Sequence, residues 1–338
     1  MPRWMSQGGA GALVHIDDAT AGLTIVIPTY NRPELLRACL NSLVAQTDRN
    51  FEVIVVDNGS DPATIDGFQK SLSVTYLRNN RNHLPTAYNL GWQNARTPVV
   101  CYTDDDATFP PHWVAAMKAL IRSEPEAVAW GGPAIELRAR RTQTLASSNK
   151  LANRIWYALY DRILMEGRAN CVNAVSRYGA YSIAQPEIVD VQRGSGTRME
   201  VDAVSTVNMA IKRDVLEEFG GFYPGFHLGY SDGDLMLQLR STRRRIVLGT
   251  DPYVFHHIAG VAPNRAVGEQ ARNFNCYLLR IRDRDPRFKT AAGLWLFRVA
   301  FLLALLRTDH ESPARTVREF LRGLRHGAAD FRGDTRVN

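Results

Sequence analysis

Residues 23–57 read LTIVIPTYNRPELLRACLNSLVAQTDRNFEVIVVD, and the spacing of their apolar residues decides the fold class. Leu23 to Pro28 is a short β-branched run closed by a proline, which suits a buried parallel strand whose last residue needs no ladder donor. From Pro33 to Gln46 the period changes. Leu35, Leu36, Leu40 and Leu43 recur at helical spacing, with Asn31 as the expected cap and Pro33 in the first turn. Phe51 to Asp57 is a second buried strand that stops at a carboxylate. Downstream, Pro62 to Lys70 reads as helix, Val74 to Leu77 as strand, Thr86 to Ala95 as helix and Val99 to Thr103 as strand. This alternation predicts an α/β fold: a doubly wound, mostly parallel, Rossmann-like sheet with right-handed crossovers.

Ligands of such sheets bind beyond the carboxyl ends of the strands. Three of those ends carry Thr29-Tyr30-Asn31, Asp57-Asn58-Gly59-Ser60 and Asp104-Asp105-Asp106. Consecutive aspartates repel one another unless a cation or hydrogen-bond donors offset their charge. Hard oxygen ligands select Mg²⁺ or Mn²⁺, metals that complete their shells with substrate phosphate oxygens. The alternative is a solvated acidic turn in which Asp106 or Thr108 caps the helix beginning near Pro111. Asp57 either accepts the imide N–H of a pyrimidine base or closes an Asx-turn.

The second half changes rhythm from about Pro133. A long apolar-aromatic helix, Leu151 to Met165, precedes a Gly/Ser/Arg loop at Arg193 to Arg198. In Gly229-Tyr230-Ser231-Asp232-Gly233-Asp234-Leu235, Ser231 and Asp234 have the spacing of a capping box, which accounts for Asp234. Asp232 lacks that explanation and is the candidate general base for an attacking hydroxyl. Tyr253 to Phe255 reads as a strand ending at His256-His257, and imidazole is a usual transition-metal ligand.

With 338 residues, 45% hydrophobic and 22% charged, the chain buries a large core and is not disordered. The 41 Lys+Arg against 34 Asp+Glu leave +7, much of it late in the chain, in Arg243 to Arg245 and from Arg307 to Arg336. That placement is a local basic face rather than a global field, and nucleic acid is not the expected partner. Cys39, Cys101, Cys171 and Cys276 show no CxxC spacing and read as reduced thiols of a cytoplasmic protein. The first twenty residues lack the pattern of a signal peptide. The most apolar stretch, Ala291 to Leu306, contains Arg298 and is shorter than the ~20 residues a bilayer crossing needs. As a helix it has an apolar face of Leu294, Trp295, Phe297, Ala300, Phe301 and Leu305. That face either packs on the domain or lies on the inner face of a membrane.

In order and spacing, TIVIPTYNRPELLRACLNSL, EVIVVDNGSDP, YNLGWQNA, YTDDDATFPPHWV, VNMAIKRDVLEEFGGF, SDGDLMLQLR and VFHH closely resemble glycosyltransferase family 2, from about Leu23 to His257. The resemblance implies a GT-A fold and an inverting glycosyltransferase using Mn²⁺ or Mg²⁺. It implies a nucleotide-sugar donor, UDP-sugar favoured, and a glycan, lipid-linked or small-molecule acceptor. By the same resemblance Pro28, Thr29, Asn31, Asp57, Asn89, Asp104 and Asp105 look like donor-binding positions. Asp104 and Asp106 look like metal ligands with His256, rather than His257, beside them, and Asp232 looks like the base. The implied division is an N-terminal arm at 1–22, a nucleotide-sugar-binding part at 23–132, an acceptor-binding and catalytic part at 133–262, and a helical basic region at 263–338.

Two departures stand out. Relatives commonly carry Glu-Asp where this chain has Ser231-Asp232, and Gly-Ala where it has Thr206-Val207. The missing glutamate keeps a catalytically silent nucleotide-sugar-binding subunit in view. A sugar-phosphate nucleotidyltransferase is the other alternative, although IPTYNRPE lacks its glycine-rich phosphate loop.

Overall fold

The computed structural model describes residues 22–60, 72–136, 157–182, 196–227, 229–257, 267–284, 288–308 and 312–333. The first half of the chain forms β1 (Leu23–Thr29), α1 (Pro33–Val44), β2 (Phe51–Asp57), β3 (Val74–Arg78), α2 (Leu84–Gln93), β4 (Val99–Tyr102), β5 (Ala107–Thr108), α3 (Trp113–Ser123), β6 (Ala127–Gly131) and β7 (Ala134–Glu136). The second half forms β8 (Arg198–Glu200), β9 (Met209–Lys212), α4 (Arg213–Phe219), α5 (Ser231–Ser241), β10 (Arg245–Gly249), β11 (Val254–His256), α6 (Val267–Arg284), α7 (Phe288–Thr308) and α8 (Pro313–Phe331).

The main sheet has eight strands in the order β3-β2-β1-β4-β9-β6-β10-β8. β3, β2, β1 and β4 run parallel, as do β6 and β10, while β9 and β8 are antiparallel to their neighbours. Period-two alternation explains why the parallel strands carry apolar residues at nearly every position. Ile25, Ile27, Val53, Val55, Val99 and Cys101 join one core with α1 and α3. Val26, Ile54, Val56, Val100 and Tyr102 join the other, with α2 and α5. On the second face α2 lies so close that a Cβ on Gly91 would fall 2.3 Å from a Val26 methyl carbon. The strand order reverses between β1 and β4, which opens the crevice beyond their carboxyl ends.

A second sheet has the order β5-β11-β7, and its first strand follows β4 after the aspartate triplet. Its β5–β11 pair is antiparallel and places His256 opposite Ala107, directly after the aspartate triplet. Asn208 anchors this sheet to the main one: it accepts from Trp113 Nε1 at 3.1 Å and donates to the carbonyls of Pro133 and Pro252.

Several local expectations are corrected. Asn31 does not cap α1; Arg32 occupies the N-cap position without a side-chain bond, and Asn31 has φ +52° with its N–H on Ser60 Oγ. α2 begins before Thr86, at Leu84, because His83 Nδ1 accepts the Thr86 N–H. Neither Asp106 nor Thr108 caps α3, which starts at Trp113 after His112. Arg198 opens β8 rather than closing a loop, and residues 193–195 lie outside the described residues. The helix expected over Pro62 to Lys70 also lies outside them. Of the helix expected from Leu151 to Met165, residues 151–156 lie outside, and Tyr160–Leu164 is a π turn.

The capping-box expectation at Ser231 and Asp234 fails as well. Tyr230 holds the N-cap position of α5 at φ +63°. Asp234 is buried and accepts from Arg280 at 2.8 Å and Arg284 at 2.6 Å, both on α6. A carboxylate one turn into α5 therefore fastens the C-terminal helices to the sheet domain. Asp234→Ala leaves two partly buried guanidiniums facing each other, and an urea-denaturation loss of about 3 kcal/mol is expected. α6 and α8 then meet at near backbone contact, since a Cβ on Gly323 or Gly327 would fall 2.2 Å or 2.1 Å from a carbonyl oxygen of α6. Arg272 and Asp330 close the pair with an ion pair.

Candidate active site

β1 ends at Thr29, buried, whose hydroxyl donates to Asp105 Oδ2 at 2.8 Å. β4 ends one residue before Thr103, and the Thr103 N–H donates to the Val26 carbonyl, so the aspartate triplet emerges beside the β1 loop. Within it the three carboxylates diverge. Asp105 turns inward to Thr29 and to Arg32 Nη1 at 3.3 Å. Asp104 and Asp106 turn toward β11, where His256 Nε2 lies 3.1 Å from Asp106 Oδ1 and 3.9 Å from Asp104 Oδ2. Ligand atoms of Asp104, Asp106 and His256 all fall within 4.8 Å of one another, the spacing a single divalent cation requires. Two carboxylates with one imidazole suit Mn²⁺, and Mg²⁺ less well because of the nitrogen donor. His257 is directed elsewhere, with Nε2 2.8 Å from Thr108 Oγ1.

Burial, followed by the charge of Asp106, pushes the Asp104 carboxyl up to about 7, with His256 opposing the rise. Protons and a cation therefore compete for this position. Cation binding is expected to weaken and to release more protons as pH falls through about 7, measurable as buffer-dependent heats in a Mn²⁺ titration. Burial also raises Asp105, against the hydrogen bond from Thr29 and the charge of Arg32.

Asp57 ends β2 as a buried, ionised anchor. Burial works to raise its carboxyl, but hydrogen bonds from Ser60 and Tyr76 and the Arg78 charge outweigh it and hold the group below the usual range. Its Oδ1 accepts the Ser60 N–H at 2.8 Å, and its Oδ2 accepts from Tyr76 and from Arg78 at 3.0 Å. Of the two readings of Asp57, its contacts show the turn: it closes the Asn-Gly-Ser turn at the carboxyl end of β2. Ser60 in turn takes the Asn31 N–H and ties the loops after β1 and β2 together. Pro28 lies in β1 beyond its pairing with β4, which reaches only Val26, so its missing N–H costs that ladder nothing.

Asn89 stands apart from the other expected donor positions. Its amide donates to the Phe222 carbonyl at 2.7 Å and accepts from the Phe222 N–H at 2.8 Å and from Trp92 Nε1 at 3.0 Å. Its bonds hold the loop before α5, which is a positioning role.

Asp232 lies at the start of α5, where Oδ1 accepts the Gly233 N–H at 2.8 Å and Oδ2 lies 3.4 Å from Ser205 Oγ. Burial raises its carboxyl, opposed by backbone N–H bonds from Gly233 and Thr206. The charge of Asp232 adds to the rise at Asp104, and both carboxylates raise the buried Tyr88 hydroxyl. Gly233 admits the Tyr181 hydroxyl, which would lie 1.5 Å from a Cβ there, so the helix start and the Tyr181 loop close on each other.

Sequence reading missed Arg32, Tyr76, Arg78 and Ser205. Arg32 and Arg78 each follow or end an identified strand-end motif, and a basic residue beside an acidic ligand site is a usable signal. Tyr76 and Ser205 gave none, because only the sheet brings them to Asp57 and Asp232.

Residues 24–178 match the family model described as glycosyl transferase family 2. The family assignment holds for that stretch, a little under half of the chain. Over 104 residues the chain is 34% identical to an uncharacterized glycosyltransferase of Haemophilus influenzae, a match that spans 30% of this chain and 35% of that protein. Among solved structures it is similar to the mannosyltransferase PcManGT from Pyrobaculum calidifontis in complex with GDP-Man and Mn²⁺. That likeness has 19% identity and a TM-score of 0.52, and covers 99% of this chain and 93% of that one. It is also similar to GalNAc-T7 with UDP, GalNAc and Mn²⁺, at 15% identity and a TM-score of 0.60, over 95% of this chain and 59% of that one. These likenesses establish the GT-A fold with an added helical C-terminal part.

Proposed function

We propose that this chain transfers a sugar from a nucleoside diphosphate donor to an acceptor hydroxyl, in a single displacement that inverts the anomeric carbon. The observation that carries the reading is the convergence of ligand atoms of Asp104, Asp106 and His256 within 4.8 Å of one another just beyond the end of β4. A divalent cation held by those three ligands supplies charge stabilisation for the departing diphosphate. Arg32, 3.4 Å from Asp106 and half-exposed, offers a second positive group at the same edge. Asp232 takes the proton of the acceptor hydroxyl as its oxygen bonds to the anomeric carbon and the bond to the diphosphate oxygen breaks. Attack comes from the face opposite the leaving group, hence the inversion.

A UDP-sugar is the favoured donor. Supporting this are the strand-end carboxylate of Asp57 and the exposed ring of Tyr76 bonded to it, which offers an aromatic face to a planar base. The acceptor class is a glycan end, a lipid-linked saccharide or a small molecule. Thermal-shift screening of UDP, dTDP and GDP with and without Mn²⁺ tests the donor side. UDP with Mn²⁺ is expected to stabilise the protein by about 2.7 kcal/mol at a hundredfold excess over Kd. Stabilisation by nucleotide that is indifferent to Mn²⁺ would refute the cation site, and equal stabilisation by GDP would refute the base preference.

A further inference from the structure

Nine large apolar or aromatic side chains are exposed among the described residues. Tyr30 follows β1 and Tyr76 lies on β3, while the other seven lie on α7 and on the two elements that touch it. Trp295, Leu296, Val299 and Leu303 form the outward stripe of α7, and Trp295 is 60% exposed. Of the apolar face the sequence pattern singled out, Trp295 alone lies on this stripe. Leu294, Ala300 and Leu305 of that pattern are buried and Phe297 and Phe301 pack behind them, against α6, α8 and the π turn. α7 is thus apolar on both sides, and a helix that only packs on a domain would present polar residues outward.

The neighbouring elements continue the surface. Leu159 and Ile163, one turn apart, are exposed on the π-turn segment, whose Tyr160 packs with Phe297 and Ala300 of α7. Leu321 is exposed on α8, which meets α7 through Phe301 and Phe320. Around Leu321 the outward face of α8 is basic: Arg318, Arg322 and Arg325 are all exposed and share its helical face, opposite the Gly323 and Gly327 side that packs on α6. Arg162 is exposed beside Ile163. No described helix is long and apolar enough to cross a membrane. Apolar residues with an aromatic anchor, bordered by arginines, are complementary to an anionic lipid surface in both its layers: acyl boundary for the side chains, phosphate for the guanidiniums.

The geometry points to the α7–α8 face as a docking surface for an anionic phospholipid bilayer. Through Asp234 and the α6 arginines this face is joined to the helix that bears Asp232, so docking holds the acceptor end of the crevice at the membrane. That last step rests on the proposed transfer reaction; the docking itself does not.

Co-sedimentation with vesicles of phosphatidylcholine alone, or with phosphatidylglycerol added, tests it without any turnover. Binding to the anionic vesicles is expected, at least about tenfold stronger than to neutral ones, with a blue shift of Trp295 emission. Trp295→Ser with Leu303→Gln, and separately Arg318→Glu with Arg322→Glu and Arg325→Glu, are each expected to weaken that binding at least about tenfold. All five side chains are solvent-exposed, so melting temperature and stabilisation by UDP with Mn²⁺ should stay as in the parent. That second readout separates failure of docking from failure of the donor reading. No binding to either vesicle overturns the proposal, as does equal binding to both. A concentration-dependent dimer that Trp295→Ser dissociates overturns it too, in favour of a second copy as the occupant.

Discussion

Asp232→Asn is expected to lower sugar transfer by about 10²- to 10⁴-fold, the range of general-base catalysis, while stabilisation by UDP with Mn²⁺ is unchanged. Asparagine keeps the shape and can still accept the Gly233 N–H now on Oδ1, so α5 should start where it does. What it loses is the capacity to take a proton. Burial raises the Asp232 carboxyl above its ordinary range, and a base acts only when ionised. Activity of the parent enzyme should therefore rise as pH increases through that raised value, and the limb should vanish in Asp232→Asn. The raised value arises here without the neighbouring glutamate that relatives carry, since Ser231 is buried and burial alone is the leading cause. Retained transfer in this variant would assign proton removal to another group.

Asp106→Ala is expected to abolish both donor stabilisation by UDP with Mn²⁺ and detectable transfer. Asp106 is the member of the cluster with contacts on two sides, His256 at 3.1 Å and Arg32 at 3.4 Å. Without it, only Asp104 and His256, 3.9 Å apart, would remain to hold a cation. Asp105→Asn is the informative contrast. Its carboxylate faces Thr29 and Arg32 rather than the cluster, so its loss should weaken donor binding through a displaced Arg32 and leave the cation requirement intact. A thermal shift with UDP and Mn²⁺ that survives in Asp106→Ala would remove the triplet from the donor site.

Much of the first half was legible because parallel strands buried on both faces leave an unambiguous record. LTIVIP, FEVIVVD and VVCY admit few other readings, and strand ends are where an α/β sheet binds. His256 was separable from His257 only through the family pattern. The structure supplies the cause: antiparallel pairing sets His256 opposite Ala107 and turns His257 to Thr108. The sequence misread caps most often. Asn31, Asp106, Ser231 and Asp234 all have side chains suited to capping, yet each is drawn to a partner or a position far along the chain, or into the helix itself.

The amino-acid sequence by itself determined the α/β class, the positions of the strand ends and the family resemblance, because these depend on period and order along the chain. Only the tertiary structure separates the surroundings of the three carboxylates. Asp104, Asp105 and Asp106 are chemically identical neighbours, and they part because Thr29 takes one while His256, 150 positions beyond Asp106, faces the other two. The same holds for α7, where two apolar stripes look alike in sequence and only packing against α6 and α8 left one of them facing outward. Side chains of one kind acquire different functions through what the fold sets beside them, and that information is not local.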